Sequence, residues 1–309
     1  MDTRIVPIGL LPLILGGICA LTGCSSGSRQ LSFATADAAA EALHDACRNR
    51  DREQLERIFG PEMEKLASGN QRQDQADFQR FAAAFDRKWA LRRESDDQVY
   101  LVVGEQAWEF PAPIVNEKGK WRFDTEQGIE GMEDVRIGNN ELSAIRACDA
   151  YVQAQQEYFD MNPEGGVKSY AARIRSSPGR RDGLWWPDSP DAPRSPLGPL
   201  VAAAVQRGEL DTSAAQARQP YRGYYFKPLV RQSASANGGA KEYVDASGRM
   251  TNGFGLIAWP AVYGKTGIMS FIVSQDGVTF RRDLGAETAR QAESATAFDP
   301  AGWDPLAPP

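Results

Sequence analysis

The chain has 309 residues, a formal net charge of −6 and a single histidine. That length is ample for one large domain or two smaller ones. The acidic balance argues against nucleic acid as a partner, which calls for a basic face, and the four cysteines form no zinc-ligand pattern, so neither metal nor cofactor is expected.

The chain opens with Arg4, an apolar run from Ile5 to Leu21, and then Leu21-Thr22-Gly23-Cys24. Pro7, Pro12 and several glycines make this a poor spanning helix but suit the short apolar core of an export signal. Residues 1–23 resemble a bacterial lipoprotein signal peptide. On that resemblance Cys24 takes a diacylglycerol, with acyl chains such as palmitate, and more than one chain supplies stable membrane attachment. Ser25, where an aspartate would resemble an inner-membrane retention signal, directs the expectation to the periplasmic face of the outer membrane. Residues 24–32, rich in serine, read as a polar tether.

From Thr35, a capping residue, an alanine-rich segment predicts a helix that ends near Asn49. A short helix follows in DREQLERIFG. A third is expected over QADFQRFAAAFDRKWAL, where Phe78, Phe81, Phe85 and Trp89 form one apolar stripe. Two strands are predicted in QVYLVV and WEFPAPIV, and a third in KWRFDT after a hairpin at Lys118-Gly119. Helices closing over a small antiparallel sheet would bury the aromatic stripe. In outline residues 33–130 resemble the cystatin-like cone of the nuclear-transport-factor-like superfold, a fold that selects no function by itself.

The segment NNELSAIRACDAYVQAQQEYF predicts a long helix capped by Asn139 or Asn140, with Glu141 near its positive end. At about 100° per residue, Leu142, Ile145, Cys148, Val152 and Phe159 share the inward face, and Arg146, Gln153 and Glu157 the outward one. Beyond a Pro- and Gly-rich stretch and a short helix at LVAAAVQRGEL come three strand-rich runs, with a hairpin at Gln275-Asp276-Gly277. The fold class is therefore α+β: helices on a small antiparallel sheet, then a long helix packed on a second antiparallel sheet over residues 137–303. Residues 304–309 read as a tail.

The words WRFDTEQG, IGNNELSAIRACDAYVQAQQEY, SSPGRRDGLWWP, PYRGYYFKPL, GFGLIAWPAVYGKTGIMSFIVSQDG and FDPAGW resemble the family catalogued as domain of unknown function 2950, found in exported Gram-negative proteins. The resemblance runs from about Leu31 to Trp303 and implies no activity. A looser series also resembles the globular half of a type IV pilin or pseudopilin: Ala144-Ile145, Tyr158, Gly223-Tyr224-Tyr225-Phe226, Ala258-Trp259-Pro260, Phe271 and Asp276-Gly277. That likeness implies one long helix lying across an antiparallel sheet. It departs from the family where residues 116–138, polar and glycine-containing, stand in place of an apolar stalk.

Few residues carry chemistry. Cys47 and Cys148 are two buried thiols or a disulfide. The latter would close a loop of about 100 residues, worth on the order of 4 kcal/mol in the chain-entropy model. His44 and Cys47, three apart on one helix, lack a visible third group to orient a nucleophile. Arg180, Arg181, Trp185 and Trp186 lie in a turn-rich segment that reads as a binding loop if exposed and as packing if not. Gly264-Lys265-Thr266-Gly267 lacks P-loop spacing and reads as a turn. Glu133 and Asp134 cannot be set across a cleft from sequence.

The resulting expectation is a non-catalytic, membrane-anchored envelope lipoprotein that binds or scaffolds, with an envelope protein as partner. The alternative is an envelope hydrolase acting on glycan or peptide, with its cleft at Trp185-Trp186. A deep pocket with two acids near those tryptophans distinguishes the second from the first.

Overall fold

A computed structural model describes residues 30–67, 71–190, 193–206 and 220–307. The lipid-attachment candidate Cys24 lies outside the described residues. The chain divides into two compact units, residues 1–136 and 137–309, and the class is α+β. No helix among the described residues is long and apolar enough to cross a membrane.

In the first unit α1 (Ala36–Asn49) is capped by Thr35, whose Oγ1 accepts the Ala38 N–H at 3.1 Å, and it ends on Arg50 in the left-handed region. α2 (Arg52–Phe59) follows, capped by Asp51, and then α3 (Gln71–Arg87). β1 (Trp89–Arg93), β2 (Gln98–Val103), β3 (Trp108–Glu109), β4 (Ile114–Glu117) and β5 (Lys120–Phe123) form an antiparallel sheet in the order β1-β2-β4-β5, with β3 also on β2. β4 and β5 turn at Lys118-Gly119 with Glu117 opposite Lys120. Leu43, Leu55, Ile58 and Phe59 from the first two helices, Phe81 and Phe85 from α3, and Leu101, Phe110, Ile114 and Phe123 from the sheet side make one core.

Three expectations for this unit change. Trp89 and the residues after it are strand, not helix, because they pair with β2 from Trp89↔Val103 to Arg93↔Val99. The single run WEFPAPIV is two strands, since Pro111 and Pro113 have no N–H to donate to a ladder. Gln30 and Leu31, expected within the tether, are bonded to the unit. The Gln30 amide donates to Ile58 O at 2.9 Å and Phe123 O at 2.7 Å, and the Leu31 N–H to Arg57 O.

The helix expected from Asn139 begins at Thr125: α4 (Thr125–Met161) spans 37 residues. Its start signal is Asp124, whose Oδ1 accepts the Gln127 N–H at 3.1 Å, the usual arrangement of an acidic N-cap. Two glycines within the added stretch of helix permit close packing. A Cβ at Gly128 would stand 3.1 Å from Ala112 Cα, and one at Gly131 would stand 2.8 Å from Pro111 Cβ. Asn139 and Asn140 lie inside the helix, and Asn140 Nδ2 donates to Thr266 O at 3.0 Å.

In the second unit β6 (Arg173–Arg175) pairs in parallel with β7 (Gly183–Trp185), and α5 (Gly198–Gln206) follows. The later residues of the helix expected there lie outside the described ones. β8 (Tyr224–Leu229), β9 (Arg231–Gln232), β10 (Lys241–Glu242), β11 (Gly255–Pro260), β12 (Met269–Ser274) and β13 (Thr279–Asp283) come next. The chain then runs through α6 (Thr288–Ser294), β14 (Ala297–Phe298) and β15 (Asp304–Pro305). The main sheet is antiparallel in the order β15-β13-β12-β11-β8, beside a small β10-β9-β14 sheet. Residues 304–306, expected as tail, belong to it: Asp304 pairs with Arg281, and the Leu306 N–H reaches Thr279 O at 2.8 Å.

One face of this sheet packs Leu256, Ala258, Phe271 and Val273 against Ala144, Cys148, Tyr151 and Tyr158 of α4. The other is covered as well: Ile257, Trp259 and Ile272 meet Ala236, Ala292 and Phe298. β11 is therefore buried along its whole length, and a helix lying across a sheet accounts for one of two apolar layers. The inward stripe of α4 is Ala144, Cys148, Tyr151, Gln155 and Tyr158, rotated from the expected one. Leu142 is 49% exposed, and Ile145, Val152 and Phe159 sit at the margin.

Candidate functional site

The segment holding Arg180, Arg181, Trp185 and Trp186 is tied down by hydrogen bonds and packing. The Asp182 carboxylate closes a tight turn by accepting the Ser177 N–H at 2.7 Å and its hydroxyl at 2.8 Å. Glu164 accepts Arg180 Nη2 at 2.8 Å and the Arg181 N–H at 2.7 Å. These bonds, that from Arg180 first, hold the Glu164 carboxyl below its usual range. Tyr158 of α4 donates to Arg181 O at 2.7 Å. Trp186 is buried, its Nε1 bonded to Pro193 O at 2.9 Å, and the half-buried Trp185 ring lies under the Arg175 guanidinium at 5.0 Å. Both indoles pack on the core of the second unit, Trp186 within it and Trp185 at its margin.

Cys47 and Cys148 are free. Each is enclosed in the core of its own unit, so the bridge is absent and the thiols serve as small apolar groups. Burial, reinforced by the Asp86 and Asp149 charges respectively, pushes both thiols well above the usual range. His44 does have an orienting carboxylate that sequence reading missed: its Nε2 lies 2.8 Å from Asp86 Oδ1, and its ring packs on Phe85 at 4.6 Å. Asp86 is 42 residues away on another helix, which no local spacing reveals. A thiol held protonated by burial is a poor nucleophile, so this trio supports packing. In the native protein neither thiol is expected to react with iodoacetamide. After denaturation both are expected to, equally with and without reductant, and a mass difference of one disulfide between those samples would contradict the free-thiol structure.

Glu133 and Asp134 are neighbours on α4, and Gly264–Gly267 is a turn closed by the Gly264 N–H on Gly267 O at 3.0 Å. Among the described residues no group of three or more His, Cys, Asp or Glu is placed to hold a metal ion.

What the structure does open is a cleft in the second unit, with a volume of about 490 Å³, lined by Ser235, Asn237, Ser274, Asp276, Val278, Phe280, Phe298, Pro300 and Ala301. Small-molecule sites commonly occupy about 300–1,000 Å³. Its apolar side is the half-buried Phe280 ring, edge-on to the buried Phe298 at 5.9 Å. Its polar groups come from two walls: the loop after β9, and the β12–β13 hairpin.

A buried amide ties these walls together. Gln232 Nε2 donates to Asn237 O at 2.8 Å and Gly239 O at 2.7 Å. Its Oε1 accepts Tyr243 Oη at 3.0 Å and Gln275 Nε2 at 3.1 Å. Gln275 Oε1 in turn accepts the Phe254 N–H. A fully satisfied network of this kind holds a surface in one geometry. On the outer side Asp299 accepts the Ser235 and Ser233 hydroxyls and the Ala301 N–H. These bonds, with that from Ser235 largest, hold its carboxyl below the usual range despite partial burial. Sequence reading found the Gln275-Asp276-Gly277 hairpin but not the cleft, whose other wall lies some forty residues earlier in the chain.

Comparison with curated proteins gave no match, nor did comparison with solved structures. The family model described as Protein of unknown function (DUF2950) matches residues 30–306. It spans both units and every element described above, and the chain belongs to that family.

Proposed function

We propose that this chain is a lipoprotein of the Gram-negative envelope, acylated at Cys24 and held at the periplasmic face of the outer membrane, where it binds or scaffolds without catalysing a reaction. The anchoring half of this reading rests on the N-terminal apolar run, on Leu21-Thr22-Gly23-Cys24 and on Ser25. The observation that carries the binding half is the cleft in the second unit. It has a single lining carboxylate, Asp276, whereas proton-transfer hydrolysis of glycosidic bonds uses two opposed carboxyl groups. Ser235, which lines it, donates to Asp299, a carboxylate already shared with Ser233 and the Ala301 N–H, and no Cys or Lys is among the lining residues. The groups that a hydrolase at Trp185-Trp186 would use are taken up in packing and ion pairs. A partner protein in the envelope fits a scaffold of this kind.

Growth with a labelled palmitate analogue tests the anchor. The wild-type chain is expected to carry label and to sediment with outer-membrane vesicles, and Cys24→Ala is expected to lose both. An unlabelled wild-type chain, or a Cys24→Ala variant that keeps its label, would sink the lipoprotein reading.

A further inference from the structure

We infer that the cleft between the loop after β9 and the β12–β13 hairpin is a saccharide-binding site for a neutral sugar ring. This deepens the binding half of the function proposed above and rests on it.

The lining chemistry narrows the ligand. Val278, Phe280, Pro300 and Ala301 supply the cleft's apolar lining, and Val278 is 41% exposed. The Asn237 amide, the Ser235 and Ser274 hydroxyls and the Asp276 carboxylate supply its polar lining. Ser235 and Ser274 are engaged with Asp299 and the Asp276 N–H. Asn237 and Asp276, both exposed, have side chains with no hydrogen-bond or ion-pair partner among the described residues. An amide on one wall and a carboxylate on the other can accept from a ligand's hydroxyls and donate back to one of them. A ring with C–H faces and a rim of hydroxyls suits a lining that combines apolar side chains with such polar groups.

Other ligand classes fit less well. An anion would meet Asp276, with Asp299 nearby in sequence and no lining cation. A quaternary amine needs an aromatic cage, whereas one half-buried ring is present. An extended peptide adding a strand needs a free sheet edge, and β13 offers none at Phe280 and Arg281, which pair with both β12 and β15. The Gln232–Gln275 network keeps both walls in place before a ligand arrives, which reduces the ordering cost of binding.

The test is a titration of the full chain, methyl-labelled at Val and Ala and held in a zwitterionic detergent free of sugar groups, with the disaccharide of N-acetylglucosamine and with cellobiose. At least one is expected to give saturable shifts of the Val278 and Ala301 methyls. Asp276→Ala and Asn237→Ala, both at exposed positions, are each expected to weaken binding about tenfold, the effect of losing one good polar contact, with the remaining spectrum unchanged. The inference is overturned if neither sugar moves those methyls, if the two variants bind as the wild type does, or if a tetrapeptide or tetramethylammonium moves them where the sugars do not. Failure of the broader reading looks different. Cleavage of a bound disaccharide, read by mass, ends the non-catalytic proposal and leaves the sugar site standing, whereas loss of sugar binding in a palmitate-labelled chain ends only the sugar site.

Discussion

Gln155→Leu is expected to destabilise the second unit by about 3 kcal/mol, as is typical when buried groups are left unpaired. Gln155 is fully buried on the inward stripe of α4. Its Nε2 donates to Ala171 O and to Tyr151 Oη, both at 2.8 Å, and its Oε1 accepts the Ala171 N–H at 2.9 Å. Leucine matches the volume but satisfies none of these, so the Ala171 N–H and carbonyl would lose their partners in a place water does not reach. Tyr151 is implicated too. Its hydroxyl reaches Gly255 O on β11 at 3.2 Å, and burial already pushes its pKa well above the ordinary range. The measurement is urea unfolding followed by a probe in the second unit, since a chain of two units need not unfold in one step. Gln155→Glu serves as a control that keeps an acceptor for the Ala171 N–H. A Gln155→Leu midpoint within error of the wild type would show that these bonds contribute little.

Gly267→Ala is expected to cost about 3 kcal/mol, at the upper end for overpacking a core. A Cβ there would stand 2.6 Å from Tyr224 Cζ and 2.7 Å from its Cε2. Tyr224 cannot swing away, because its ring is fully buried and packs on Phe271 at 5.9 Å. Its hydroxyl donates to Met269 O at 2.8 Å. The turn around Gly267 is also held from α4, where Glu141 accepts the Ile268 and Met269 N–H groups, each at 2.9 Å. With wall and turn both fixed, the strain has few outlets. Adding Tyr224→Phe to Gly267→Ala is expected to recover part of the loss, and a double-mutant cycle measures the coupling. Simple additivity of the two substitutions would mean that the ring and the turn relax independently.

Much of the architecture can be read from local chemistry. Thr35 as a cap, Lys118-Gly119 and Gln275-Asp276-Gly277 as hairpins and the strand in QVYLVV depend on neighbours in the chain, and all appear as expected. The start of α4 was missed although a local signal, Asp124 three residues before Gln127, was present. The helix cost of Gly128 and Gly131 is visible in sequence, while the compensating approach of Ala112 and Pro111 is not. The stripe on α4 was rotated for a related reason. Periodicity favours large apolar side chains such as Leu142, whereas the cluster between α4 and the sheet takes the small Ala144 and Ala154.

The sequence by itself determined the α+β class, the family and the expectation of an acylated Cys24, because each rests on composition, period or a contiguous word. Only the tertiary structure decided which side chains are available. It buried Trp186, paired Arg180 with Glu164 and His44 with Asp86, kept Cys47 and Cys148 as separate thiols, and opened a cleft from residues as far apart as Ser235 and Ala301. These outcomes depend on contacts between segments distant in the chain, whose energies arise from burial and pairing that no local pattern contains.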